Sequence, residues 1–166
     1  MKKLLILFFV YSIIAGCKPT EKMTSAKSIN TEAQLIRSLF DKYITAIKTN
    51  DKDALSAAFH PTARMYGYYK HYDNNMPIAD YIDLQIRKGP SPNVISQIHN
   101  LEITGRIAQL KVISTDWNGD DYTDYYTCIK TVKAAVDRYG KIISDSENEV
   151  WLIASKTFYL KGKTKK

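Results

Sequence analysis

The sequence has few of the residues from which catalytic and metal centres are commonly built. Its 166 residues include 2 cysteines, 3 histidines and 7 glycines. The histidines, His60, His71 and His99, share no metal-ligand spacing, so no metal site is predicted. A glycine-rich phosphate loop, a G-x-S-x-G nucleophile turn and a dinucleotide-binding fingerprint are missing, and no cofactor is predicted.

A basic domain is also lacking, although the formal net charge is +7. Lys2 and Lys3 open the chain, and four more lysines lie in the closing stretch "KGKTKK". These six lysines account for all but one unit of the surplus. The chain between them is close to neutral, which argues against a nucleic acid partner.

The only long apolar run is at the start of the chain, "MKKLLILFFVYSIIAGC". Two lysines, an apolar stretch too short to span a bilayer and the small pair Ala15-Gly16 are typical of an export signal. The end, "IAGC", resembles the lipobox of bacterial lipoproteins. The resemblance implies a signal peptide over 1–16 and a lipid on Cys17. The alternative is an ordinary signal peptide followed by a chance cysteine.

A lipid on Cys17 would attach the protein to a membrane without crossing it. Residues 17–30 show no apolar period and are predicted to form a flexible tether. Lys18, and not an aspartate, follows the cysteine, which favours the outer membrane of the cell envelope, facing the periplasm. Cys128 would then be the one remaining cysteine, and burial is a better expectation for it than a reactive thiol.

The rest of the chain predicts one α+β domain over 31–160, followed by a basic tail at 161–166. Apolar residues spaced by three and four predict a helix that starts at Thr31, and Asp51 is a plausible cap for a short helix over 52–59. A strand over 63–70, a loop over 71–77 and a helix over 78–88 follow, before a stop at "GPSP".

The second half of the domain predicts strands only. The expected strands cover 94–105, 106–117, 120–133 and 150–160. "NG" at 118–119 predicts a tight hairpin between the second and third of them. Residues 134–149 form a long connection, either an extended hairpin or a flap. Helices followed by an antiparallel meander indicate helices packed on one face of a curved sheet.

The stretch "YITAIKTNDKDALSAAFHPTARMYG" in this order of elements resembles the nuclear transport factor 2-like superfamily, the cystatin-like α+β cone. Within it, "AFHPTARMYG", "YTDYYTCIK" and "WLIASKTFYL" are most similar to the group called putative lumazine-binding proteins. The resemblance implies a conical cavity between the long helix and the concave sheet face. It also implies a homodimer through the outer sheet face. Fold alone does not give function.

Ketosteroid isomerase is the best understood enzyme of this superfamily. Its chemistry needs a carboxylate base and two donors that hold an enolate oxygen. By resemblance, Tyr43 and Asp124 take the two donor positions. The base position, eight residues after Phe59, is Gly67. The sequence therefore argues against that isomerase reaction.

Residues 120–133 alternate cleanly, with Asp124, Tyr126 and Cys128 on the side expected to face the helices. The predicted ligand-binding residues lie on this wall and its neighbours, and all but the methionine are aromatic or polar: Tyr43, Met65, Tyr69, Asp124, Tyr126 and Trp151. The favoured function is a lipid-anchored module that binds an unidentified small molecule, in a binding or accessory role.

Two alternatives stay open. One is a hydrolase or lyase on a small substrate that uses Asp124 with Tyr43 or His60, although "FHP" also suits a turn histidine bonded to local groups. The other is a non-catalytic dimeric scaffold of the envelope. An enclosed cavity with several titratable groups would favour the enzyme, and a filled cavity with an exposed apolar face would favour the scaffold.

Overall fold

A six-stranded sheet, curved and open, carries the helices on one face. The computed structural model describes residues 20–69, 72–132, 135–136, 142–144 and 149–164. Within these residues the elements follow in the order α1 Thr20–Thr49, α2 Lys52–Ala57, β1 Phe59–Tyr69, β2 Tyr72–Pro77, α3 Ile78–Lys88, β3 Ile95–Thr104, β4 Ile107–Trp117, β5 Asp120–Val132, β6 Ala135–Val136, β7 Ile142–Ser144 and β8 Glu149–Lys163.

The strand order in the sheet is β2-β1-β8-β5-β4-β3. Strand β8 pairs in parallel with β1, and every other pairing in this sheet is antiparallel. The last long strand therefore lies between the first half of the domain and the meander of the second half. The predicted α+β class, with helices on a curved and mainly antiparallel sheet, is confirmed.

Helix α1 buries the predicted apolar face. Ile36, Phe40, Tyr43 and Ile47 are all buried in the main core, as expected from their spacing. The helix begins at Thr20 and not at Thr31, so residues 20–30, expected to be a flexible tether, are helical. Pro19 precedes the helix, and no glycine or proline interrupts it before its end. Cys17 and the signal segment lie outside the described residues.

Helix α2 is capped as the sequence predicts. The Asp51 carboxylate accepts a hydrogen bond of 2.9 Å from the backbone N–H of Ala54, which satisfies one of the free donors of the first turn. Asn50, just before it, has φ of 59° and donates through its side chain to the carbonyl of Ile86 at 3.2 Å. This contact ties the end of α1 to α3.

The expected loop at 71–77 is wrong, because residues 72–77 form strand β2 at the edge of the sheet. It pairs with β1 from Arg64–Pro77 to Tyr69–Tyr72. The Arg64 guanidinium donates two hydrogen bonds to Asn75 Oδ1 across the pair, at 2.7 and 3.1 Å. An edge strand can be polar on both faces, so it has no apolar alternation by which to recognise it. His71 lies outside the described residues.

The "NG" turn forms as predicted between β4 and β5. Asn118 and Gly119 have φ of 52° and 81°, and Trp117 pairs with Asp120 across the turn. Two successive residues with positive φ match the twist of the flanking strands. Strand β5 then alternates as expected, with Asp124, Tyr126 and Cys128 buried and Tyr125 exposed.

Strand β8 continues to Lys163, so the tail expected from 161 is wrong at its start. The end of β8 pairs with the start of β5, where Lys163 lies opposite Asp120 and its ammonium is 2.8 Å from the carboxylate. Within 134–149, β6 and β7 form a two-stranded antiparallel pair, and residues 137–141 and 145–148 between and after them lie outside the described residues. No helix within the described ranges is long and apolar enough to cross a membrane.

Candidate functional site

A cavity of about 250 Å³ opens between α3 and the concave face of the sheet. Its walls come from β1, β2, α3, β4, β5 and β8. The lining is mainly aromatic and apolar, with two amide side chains and two lysines as its other polar groups. The lining residues are Met65, Asn74, Tyr81, Leu84, Gln85, Lys88, Trp117, Tyr122, Lys156 and Phe158.

Lys156 is the central polar group of this cavity, although only 4% of its surface is exposed. It lies directly opposite Tyr126 on β5 and Met65 on β1. Its ammonium donates a hydrogen bond of 2.8 Å to the Tyr126 hydroxyl, which in turn donates to Asp124 Oδ2 at 3.3 Å. The ammonium is also 3.2 Å from Asp124 Oδ1. Lysine and aspartate thus form a buried ion pair.

The geometry of this pair is incomplete. The Lys156 ammonium is close to Asp124 Oδ1 but outside the direction of a hydrogen bond, and Oδ1 has no hydrogen-bond partner in the described part of the chain. Burial raises the pKa of the Asp124 carboxyl and lowers the pKa of the Lys156 ammonium. Their mutual attraction opposes both shifts, but burial is the larger effect because neither group is solvated. The two pKa values therefore move toward each other.

Aromatic rings surround the ammonium. It lies 4.5 Å from the centre of the Trp117 ring, 5.0 Å from that of Tyr126 and 5.7 Å from that of Tyr81. Such rings attract a cation through their electron-rich faces. The indole N–H of Trp117 donates to Gln85 Oε1 at 3.2 Å, which fixes the plane of this wall.

Tyr81 of α3 lines the cavity and connects it to Tyr43 of α1. Their hydroxyls are hydrogen-bonded at 2.9 Å, and the Tyr43 ring lies 5.9 Å from that of Tyr126. Burial raises the pKa of Tyr43, Tyr81 and Tyr126 well above the ordinary value for a phenol. All three are therefore neutral hydroxyls at physiological pH.

Residues 31–134 match the sequence profile of a family described as "Putative lumazine-binding". The match covers more than half of the chain. The chain belongs to this family.

Solved structures share the fold of this putative lumazine-binding domain. A nuclear transport factor 2-like protein of unknown function from Methylobacillus flagellatus is 28% identical, with 78% of this chain and 92% of that chain covered and a TM-score of 0.64. Another from Silicibacter pomeroyi is 19% identical, with 80% and 98% covered and a TM-score of 0.65. A ketosteroid isomerase-like protein from Erwinia carotovora atroseptica is 12% identical, with 80% and 98% covered and a TM-score of 0.55. Among curated proteins, none matches the chain.

The predicted site residues of the putative lumazine-binding domain are brought together only in part. Met65 lines the cavity, while Tyr126 and Asp124 lie directly behind Lys156. Tyr43 is fully buried one layer deeper. The side chain of Tyr69 lies outside the described part of the structure.

Trp151 was expected in the same pocket, and this is wrong. It lines a separate cavity of about 490 Å³ beside α1 and α2, and its indole donates to Glu32 Oε2 at 2.6 Å. Lys130 binds the other oxygen of Glu32 at 2.7 Å, and together with the indole it lowers the pKa of that carboxyl. Trp151 pairs with Lys130 of β5, whereas Lys156 pairs with Tyr126, so the two side chains lie at different places along β8 and line different cavities.

The pairings expected for a hydrolase or lyase are not assembled. His60, at the start of β1, has its Nδ1 2.9 Å from the Thr62 hydroxyl and accepts from the Thr62 N–H at 3.2 Å, so it is bonded to local groups. The Tyr43 hydroxyl is bonded to Tyr81 and not to Asp124.

Within the described ranges, no group of three His, Cys, Asp or Glu side chains could hold a metal ion. Burial raises the pKa of the Cys128 thiol to about 12, which makes it inert.

The structure gives a reason for the glycine at position 67, which resemblance equates with the base position of the isomerase. Gly67 is directly opposite Phe158 on β8, and a Cβ built on it would be 2.1 Å from a ring carbon of Phe158. The ring occupies the space that a carboxylate side chain would need. Phe158 in turn lies opposite Asp124.

Sequence reasoning missed Lys156, Trp117, Tyr81 and Gln85. Lys156 was the hardest to find, because a lysine on a strand is ordinarily taken to face solvent. One signal was present. Lys156, Phe158 and Leu160 alternate with Thr157, Tyr159 and Lys161, which places Lys156 on the apolar side.

The outer face of the sheet carries exposed tyrosines. Tyr66, Tyr68, Tyr125 and Tyr159 are each at least 40% exposed, and Tyr68 pairs directly with Tyr159. Tyrosine combines apolar area with a hydroxyl and is common at protein interfaces. The homodimer through this face stays a prediction.

Proposed function

We propose that this domain binds a small, flat ring compound in the cavity beside Lys156. The observation that carries the proposal is one cavity with aromatic walls and a single buried lysine–aspartate pair at its floor. Ligand sites of this kind are mostly apolar, with a few polar groups that fix orientation. The volume of about 250 Å³ suits a compound of one or two rings.

The charges of the site indicate the kind of ligand. Asp124 balances the charge of Lys156, so the floor of the cavity is neutral as a pair. A strongly anionic ligand would have to compete with Asp124 for the ammonium. A neutral or weakly acidic ring with carbonyl oxygens needs no such competition, because it can accept a hydrogen bond from Lys156 while stacking on Trp117. Lumazine, from which the family takes its name, has this chemistry and is the first probe to test.

The two tryptophans of the chain make a matched test. In a Trp151→Phe variant, Trp117 is the single tryptophan, and we expect lumazine to quench its fluorescence in a saturable titration. Trp117→Ala should weaken binding by about 5- to 150-fold, because loss of a stacking ring costs about 1–3 kcal/mol. Binding to Trp117→Ala is measured by calorimetry.

Trp151→Phe is the control, since Trp151 lines the other cavity. Equal weakening in both variants would show that the ligand does not contact Trp117. Absence of saturable quenching, together with no small molecule in native mass spectra of protein purified from its own host, would refute the binding proposal.

We also propose that the domain is held at the bacterial envelope by lipid on Cys17, in the outer membrane and facing the periplasm, where it has a binding or accessory role. The support is the sequence of the first 17 residues. Cys17→Ser should abolish incorporation of radiolabelled fatty acid and move the protein from the membrane to the soluble fraction. Cys128→Ser is the matched control and should keep the label. Retention of the label in Cys17→Ser would contradict lipidation at this residue.

A further inference from the structure

Lys156 differs from the other described lysines in its surroundings. Its ammonium is enclosed by the rings of Trp117, Tyr126 and Tyr81 and lies on the wall of a cavity that a ring compound can enter. The other cavity lysine, Lys88, lies on α3 with a mostly exposed side chain, and partial burial lowers its pKa as well. Lys156 is therefore a buried amine with access to a small-molecule site.

Asp124 completes an arrangement suited to proton transfer. Its Oδ1 is 3.2 Å from the lysine nitrogen and has no hydrogen-bond partner in the described part of the chain. An unpartnered carboxylate oxygen beside an amine can take a proton from the ammonium and later return it. Tyr126, which accepts from the lysine and donates to Oδ2, holds the two groups in register.

We propose that Lys156 is a nucleophile that forms an imine with a small aromatic or cyclic aldehyde or ketone in this cavity, with Asp124 as the proton carrier. The proposal rests on the cavity being a ligand site, as proposed above, and names a class of carbonyl compound as its substrate. An amine in an apolar, aromatic pocket is the environment in which lysine serves as a Schiff-base nucleophile.

The step balances within the site. Asp124 takes one proton from the ammonium, which leaves a neutral amine and a carboxylic acid. The amine nitrogen attacks the carbonyl carbon, a C–N bond forms, and the carbonyl π electrons move to oxygen, giving a carbinolamine after proton transfer. The C–O bond then breaks, and the Asp124 proton leaves with the oxygen as water. The products are a protonated imine on Lys156, the Asp124 carboxylate and one water.

Burial favours the first of these transfers. It lowers the pKa of Lys156 and raises the pKa of Asp124, so both shifts move the proton toward the carboxyl. The product is again an ion pair in the same place, because the iminium cation replaces the ammonium beside the carboxylate. No charge is added to the buried floor during the reaction.

Reductive trapping tests the proposal on the wild-type protein. Benzaldehyde and cyanoborohydride are added at neutral pH, the protein is digested, and the peptides are mapped by mass spectrometry. We expect one benzyl group per chain, at Lys156. Lys161, an exposed lysine of the same strand, serves as the internal control, and labelling of Lys156 should exceed it by about tenfold or more. Labelling of Lys156 no greater than that of Lys161 would overturn the proposal.

A variant separates the amine from the fold. Lys156→Arg keeps a cation beside Asp124 but cannot form an imine, and we expect it to lose the specific label. Its melting curve and far-UV circular dichroism show whether it folds. If it does not fold, the comparison of Lys156 with Lys161 in the wild-type protein decides the proposal. Persistent single-site labelling in a folded Lys156→Arg would refute the assignment.

Failure here differs from failure of the binding proposal. If lumazine quenches Trp117 but Lys156 is not trapped, the cavity binds ligands and the imine proposal is wrong. If Lys156 is trapped but lumazine does not bind, the nucleophile is confirmed and lumazine is the wrong ligand. If neither occurs and no small molecule is present in the native mass spectra, both proposals fail.

Discussion

Lys156→Met is expected to lower the free energy of unfolding by about 3 kcal/mol at pH 7, because it leaves the fully buried Asp124 without its cation. Within the described part of the chain, the Tyr126 hydroxyl is the one hydrogen-bond donor to this carboxylate, and it would be left as its polar partner. Methionine replaces the apolar volume of the lysine stem, so the loss reports charge more than packing.

The loss of unfolding free energy in Lys156→Met should become smaller as the pH falls. Burial raises the pKa of Asp124 in the folded protein, and without Lys156 only the Tyr126 hydrogen bond still opposes the rise. A carboxyl with a raised pKa binds its proton more tightly in the folded than in the unfolded state. Stability of the variant therefore falls as the pH rises from the unfolded pKa toward the folded one. Urea unfolding at pH 5 and pH 7 measures the difference.

The double variant Lys156→Met/Asp124→Asn is the control. It removes both charges and keeps a hydrogen-bonding side chain beside Tyr126, so it should recover most of the stability. A loss below about 1 kcal/mol in Lys156→Met with no change between the two pH values would contradict the expectation. It would mean that Asp124 carries the proton in the wild-type protein as well.

Gly67→Ala is the second substitution with a large expected effect, a loss of about 3 kcal/mol from a single methyl group. The new Cβ would be 2.1 Å from the Phe158 ring, so the ring must move. Phe158 lines the cavity and lies opposite Asp124, so its displacement should also weaken ligand binding. Urea unfolding and lumazine titration of the same variant measure the two effects.

Phe158→Leu and Gly67→Ala/Phe158→Leu complete a double-mutant cycle. If the clash is the cause, the smaller leucine should relieve it. The double variant should then lose less unfolding free energy than the sum of the two single losses, by about 1 kcal/mol or more. Additive losses would show that the glycine is needed for another reason. A positive result would explain physically why this chain has no base at position 67.

Most secondary structure was predictable because it depends on local pattern. The spacing of Ile36, Phe40, Tyr43 and Ile47 places one face of α1 in the core, and the Asn118-Gly119 turn forms where its φ preferences direct it. The elements that were missed lack such a pattern. Strand β2 is a polar edge strand, and the first turns of α1 carry no apolar stripe.

The candidate site was predictable for β5 and poorly predictable elsewhere. Alternation alone placed Asp124 and Tyr126 on the inner face. Trp151 was placed wrongly because it pairs with Lys130, at a distance along β8 from the Tyr126–Lys156 pair, and alternation does not say which stretch of a strand lines a cavity. The resemblance predicted Tyr43 as a site residue and a glycine, Gly67, at the base position. The structure adds that the Tyr43 hydroxyl is bonded to Tyr81 and lies behind the cavity wall.

The sequence by itself determined the α+β plan, the family and the side of β5 that faces the helices, because periodicity and turn chemistry act over a few residues. Only the tertiary structure decided that the partner of Asp124 is Lys156. That pair requires β8 to lie between β1 and β5, with Met65 and Tyr126 on either side of the lysine. A lysine is stable in such a place only when a carboxylate, a hydroxyl and aromatic rings from separate parts of the chain surround it.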